Sequence, residues 1–65
     1  SKKIVILDIG GNYLIKLPKD NFPQEITSDD VTSFLKGIAK SAFLSHVSLI
    51  KEDNEFYEYK IARIV

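Results

Sequence analysis

A chain of 65 residues is long enough for one domain only, and at that size folding buries only about 60% of the surface the unfolded chain exposes. Nine Lys and Arg balance nine Asp and Glu, and there is no cysteine; this excludes disulfides, thiolate metal sites and thiol catalysis, and removes any net field toward nucleic acid or an anionic membrane. Apolar residues make up 45% of the chain, too many for wholesale disorder. The longest apolar runs, Ile4 to Leu7 and Ala42 to Leu44, fall far short of the roughly 20 residues that cross a bilayer.

Ile4 to Ile9 is rich in β-branched side chains, and Tyr13 to Leu17 alternates apolar and polar residues around Lys16. The intervening Gly10, Gly11 and Asn12 supply the positive φ angles of a tight turn, so the pair reads as a hairpin that Pro18 ends by withholding its N–H. Ile4, Ile6 and Asp8 fall on one face of the first strand and Val5, Leu7 and Ile9 on the other. Apolar residues on both faces predict a central strand, buried from both sides.

Pro18 to Ile26 contains two prolines and no periodicity, which predicts a loop anchored by Phe22. Thr27 or Ser28 is the expected N-cap of a helix, with Asp29 and Asp30 at the positive end of its dipole. Val31, Phe34, Leu35, Ile38, Ala39, Ala42 and Phe43 recur at spacings of three and four, the mark of a helix with one buried face. Thr32, Ser33, Lys36, Lys40 and Ser41 are expected to form its solvated face. Gly37, in mid-helix, reads as tolerated, with close approach of another backbone as the alternative. The helix is expected to fray at Leu44 to His46.

Val47 to Lys51 and Phe56 to Val65 are β-prone runs separated by the acidic turn Glu52 to Glu55. The fold class is therefore α+β: one small domain over residues 1–65, in the order ββαββ, with an antiparallel sheet of about four strands, two hairpins, packed on one amphipathic helix. One helix covers one face of such a sheet, so surplus apolar surface is expected to serve a partner.

Several local patterns bear on chemistry. Ile6 to Asn12, with an aspartate before a glycine pair, resembles the first phosphate-binding hairpin of the sugar-kinase and actin superfamily. That resemblance implies glycine amides cradling a phosphate and Asp8 helping to hold a metal; it covers seven residues, and the rest of the chain is too short for that family's two-lobed cleft or second phosphate loop. The first hairpin together with Ile26 to Phe34 is similar to the closing hairpin and last helix of thioredoxin-like domains, but the preceding half and the Cys-x-x-Cys are missing. The glycines are read as turn residues, with no nucleotide or other cofactor expected.

His46, the only imidazole, has Ser45 and Ser48 nearby but no orienting third group, so no catalytic residue is assigned. Asp29 with Asp30, and Glu52, Asp53 and Glu55, lack the spacing of a calcium loop; they read as helix-start and turn carboxylates, and no metal site is expected.

The leading expectation is a non-enzymatic protein-interaction module or small regulator or inhibitor that binds a protein partner or a second copy of itself through a sheet face or edge strand. Tyr57, Tyr59, Ile61 and Arg63 share one face of the last strand and are the expected contact residues, since aromatics and arginine dominate interface energetics. The alternative is a nucleic-acid-binding domain using Tyr13, Tyr57 and Tyr59 with Lys16, Lys60 and Arg63, disfavoured by the neutral charge. Lys2 and Lys3 precede an apolar run broken by Asp8 and Gly10, which does not read as a signal peptide, and a cytoplasmic setting in a cell or infected host is expected. Ser1 in place of methionine predicts a processed chain or a piece of a longer one.

Overall fold

A computed structural model of the chain describes residues 3–42 and 44–63. Its elements follow the expected order: strands β1 (Val5–Ile9) and β2 (Asn12–Pro18), a single 3-10 turn at Lys19–Asn21, helix α1 (Ser28–Ser41), and strands β3 (Leu44–Glu52) and β4 (Phe56–Arg63). The four strands form one antiparallel sheet in the order β1-β2-β4-β3. No helix among the described residues is long and apolar enough to cross a membrane.

Gly10 and Gly11 make the first hairpin possible, with φ of 57° and 83°, angles that side chains with a Cβ rarely adopt. Two successive positive φ values are what a type I′ turn requires, and its twist matches that of the flanking strands. In the second hairpin the turn is held by Asp53, whose Oδ1 accepts from the N–H of Glu55 and of Phe56, each at 2.8 Å. Both bonds favour the ionised carboxylate and hold the Asp53 pKa below the ordinary carboxylate range. The N-cap of α1 is Thr27: its Oγ1 accepts from the Asp30 N–H at 3.3 Å, while Asp30 Oδ2 accepts from the Thr27 N–H at 3.0 Å. This is a capping box with aspartate in the third position, and those bonds lower the Asp30 pKa. The acidic residues at both places are therefore engaged in local backbone bonds.

The core lies between α1 and one face of the sheet and is built from Leu17, Val31, Leu35, Tyr57 and Tyr59, with Ile15, Phe22, Ile26 and Val47 packed against it. Phe22 is the loop anchor, its ring meeting Tyr57 edge-on at 6.0 Å between centroids. Register explains why these residues meet: Leu17 lies opposite Tyr57, Ile15 opposite Tyr59, and Tyr13 opposite Ile61, so period-two alternation puts all six on the helix side.

Three sequence expectations are corrected. β1 is an edge strand, not a central one, because β4 takes the place beside β2. His46 does not end the helix: α1 stops at Ser41 with Ala42 as its C-cap, and His46 lies within β3 opposite Ala62. Phe34 and Ile38 are exposed, while Thr32 is half-buried. At 100° per residue the buried arc of α1 is rotated about 40° from the centre of its apolar arc, toward Thr32. The cause is the Tyr59 hydroxyl, which needs a partner when its ring is buried and finds Thr32 Oγ1 at 2.7 Å and the Ser28 carbonyl at 3.2 Å. Gly37 fits the reading of a tolerated glycine: nothing lies within 4 Å of where its Cβ would sit, so the alternative of a closely approaching backbone is set aside. Phe43, Ile64 and Val65, assigned above to the helix and the last strand, lie outside the described residues.

Candidate interaction surface

Tyr57, Tyr59 and Ile61 do share one face of β4, but it is the face beneath the helix, where they are 5%, 0% and 3% exposed. They are core residues and cannot be reached by a partner while the domain is folded, which corrects the expected contact set. Burial also raises the Tyr59 pKa, because it disfavours the charged phenolate. Of the four, only Arg63 is at the surface, its guanidinium donating to the Tyr13 hydroxyl at 3.4 Å. The same burial takes Tyr57 and Tyr59 out of any base-stacking platform. Lys16 and Lys60 stand on the opposite side of the sheet from Tyr13, as the register shows, with the Lys16 ammonium 4.3 Å from the centre of the Phe56 ring, so of the expected cations only Arg63 meets an expected stacking residue, Tyr13.

Among the described residues the longest run of exposed apolar side chains is on β1 and the residue before it. Ile4, Val5, Ile6, Leu7 and Ile9 are all between 45% and 60% exposed. Ile6 faces the helix side, opposite Ile15, yet α1 lies over the β3 end of the sheet and does not shelter it. Val5 and Leu7 point to the other face, where with Leu14, Ile50 and the aliphatic part of Lys16 they line a shallow depression of about 120 Å³. The aliphatic side chains of β1 and Ile4 together expose on the order of 500 Å², the size of the largest apolar patch on a typical monomer. Sequence reasoning recorded that both faces of this strand are apolar but took that as the signature of burial; the signal was present and its interpretation was reversed.

Main-chain geometry adds a second property. A type I′ turn closes on a hydrogen-bonded pair, here Ile9 with Asn12. By strict alternation Leu7–Leu14 and Val5–Lys16 are then the other hydrogen-bonded pairs, and the N–H and C=O groups of Ile4, Ile6 and Asp8 point away from β2 along the open edge.

The two edges of the sheet differ. β3 is broken by register shifts at Leu44/His46 and Leu49/Lys51 and carries Lys51 and Glu52, the bulges and charges by which natural sheets discourage pairing. β1 pairs with β2 without a break, has no proline or lysine within it, and contains a single charge, Asp8. It is an unprotected edge.

A wider depression, about 760 Å³, lies elsewhere, between the 3-10 turn, the start of α1 and the β3–β4 turn. Several of its polar groups are already engaged: Lys19 Nζ bonds Glu52 Oε2 at 2.8 Å and sits 5.0 Å from the centre of the Tyr57 ring, and Thr27 is held in the capping box with Asp30. Bonding to Glu52 holds the Lys19 pKa above its ordinary value. This is a loop clamp over the core. The glycine turn likewise carries no second element: nothing lies within 4 Å of the Cβ positions of Gly10 and Gly11.

Compared with protein-family models, with curated proteins and with solved structures, the chain matches none. The fold and surface together define its class: a four-stranded antiparallel α+β domain with one helix, one guarded sheet edge and one open apolar edge.

Proposed function

We propose that this chain is a non-enzymatic protein-interaction module whose contact surface is the open edge of β1, binding a protein strand by extending its sheet. The observation that carries this reading is that every apolar residue from Ile4 to Ile9 is about half exposed on a strand whose outer main-chain groups are directed to the edge. Strand addition uses both: main-chain bonds give affinity and alternate side chains give selectivity. The bound strand would be apolar on both faces, matching Ile4 and Ile6 on one side and Val5, Leu7 and Ile9 on the other. A regulator or inhibitor acting by occupying another protein's sheet edge fits this surface.

The test is an amide-resolved NMR titration with a panel of eight-residue peptides of alternating apolar sequence. Binding that shifts and protects the amides of Ile4, Ile6 and Asp8, and leaves those along the outer edge of β3 unchanged, supports the proposal. Protection confined to the cleft around Lys19 and Thr27, or no response of β1 to any strand, peptide or protein, overturns it.

A further inference from the structure

The strand that best fits this edge is β1 itself. Building on the reading above, we infer that two copies of the chain pair β1 to β1 about a two-fold axis at Ile6, making one continuous eight-stranded antiparallel sheet.

Three observations select a second copy. The first is charge. The chain is neutral overall, so two copies meet without net repulsion, a condition that favours self-association. The second is self-complementarity. An isologous contact needs a surface that matches itself under a two-fold rotation, and an antiparallel strand pair does so whenever its outward groups are in phase. With Ile4, Ile6 and Asp8 directed outward, Ile6 can form a hydrogen-bonded pair with Ile6 of the second copy, flanked by two pairs of Ile4 with Asp8. Val5 then stands opposite Leu7 on the other face. Moving the axis two residues toward the turn would set Asp8 against Asp8, and like charges directly opposite are destabilising. The axis at Ile6 opposes no like charges.

The third is area. On the order of 500 Å² of exposed apolar side chain per copy sets an upper bound of roughly 1,000 Å² for two, at or below the lower limit of specific protein interfaces. That places the dimer among reversible associations. A two-fold axis normal to the sheet keeps both helices on the same side.

The experiment is sedimentation velocity across a dilution series of the whole chain, with Ile6→Pro and Ile6→Lys. The Ile6 N–H is not used in the β1–β2 ladder, so proline at 6 spares the hairpin and blocks only the edge; unchanged far-UV circular dichroism checks this. A wild-type dimer whose dissociation constant rises at least tenfold in both variants supports the inference. Isotope-filtered NOEs between Val5 of one copy and Leu7 of the other, in unmutated protein, support it without relying on either variant. A dimer that both variants leave unchanged, or one lacking those NOEs, overturns it. A chain that stays monomeric at millimolar concentration also overturns it. In that case the peptide titration separates the two readings: β1 amides that respond leave the open edge standing as a binding surface, and amides that do not remove both.

Discussion

Replacing Tyr59 by phenylalanine removes one oxygen from the centre of the domain, and the structure says what that oxygen does. Thr32 Oγ1 bonds the Ser28 carbonyl at 2.8 Å and stands 2.7 Å from the Tyr59 hydroxyl. Each hydroxyl has one proton, so when Thr32 donates to Ser28, Tyr59 donates to Thr32, and the chain of bonds is complete. Phenylalanine keeps the ring packing and takes away one donor. The expected loss is about 1 kcal/mol, the usual net worth of an internal hydrogen bond, or about 4–8 °C in melting temperature for a domain of this size. Alanine at the same position also removes a fully buried ring and is expected to cost about 3–5 kcal/mol. That equals the roughly 3–5 kcal/mol a core of this size supplies, so Tyr59→Ala should be largely unfolded at 25 °C. Urea unfolding followed by circular dichroism measures both, and Thr32→Ala completes a double-mutant cycle in which the coupling should be about 0.5–1 kcal/mol. If Tyr59→Phe is as stable as wild type and Tyr59→Ala still folds, Tyr59 is not at the centre of the core and the rotation of the helix toward Thr32 is wrong.

Gly37→Ala should stabilise the domain by about 0.5–1 kcal/mol, since the added methyl meets open space and relieves the helical cost of glycine; a destabilised variant would show that something approaches this face. Gly11→Ala should cost about 1–2 kcal/mol through its positive φ alone, and thermal melting of the two alanine variants should move in opposite directions. Thr27→Ala should lose about 1 kcal/mol with the capping box, read by urea midpoint. The lowered pKa of Asp30 and of Asp53 means that each contributes stability above the ordinary Asp value of 3.8 that disappears as pH falls through its folded value. An acid titration of Asp30→Asn should therefore lose part of the stability slope below about pH 4. Tyr59 has the opposite sign: its raised value keeps the phenol neutral in the folded state, so stability is full below 10.0 and declines as pH rises beyond it. Alkaline unfolding of Tyr59→Phe should show a shallower decline over that range.

Local features were legible in the chain because each is fixed within a few residues. The glycine pair needs positive φ, Thr27 and Asp30 lie three apart as a capping box requires, and period-two and period-3.6 alternation set strand and helix faces before any long-range contact is made. The expected loop anchor Phe22 and the covering of one sheet face by one helix rest on the same reasoning. Alternation also grouped Tyr57, Tyr59, Ile61 and Arg63 correctly on one side of β4. What it cannot supply is which side the helix covers, since both faces of that strand carry aromatic or aliphatic residues, and the assignment of these residues to a partner reversed inside and outside.

The amino-acid sequence by itself determined that this is one cysteine-free α+β domain, where its turns fall, and which side chains travel together on each element, because those properties follow from φ angles and periodicity along a short stretch of chain. Only the tertiary structure decided that β4 enters beside β2, that the helix turns its Thr32 flank inward to satisfy the Tyr59 hydroxyl, and that β1 is left as an apolar edge. Strand order and helix rotation depend on pairings between residues far apart in the chain, such as Tyr13 with Ile61 and Thr32 with Tyr59, the latter 27 positions apart, and a period of two or 3.6 carries no record of those distances.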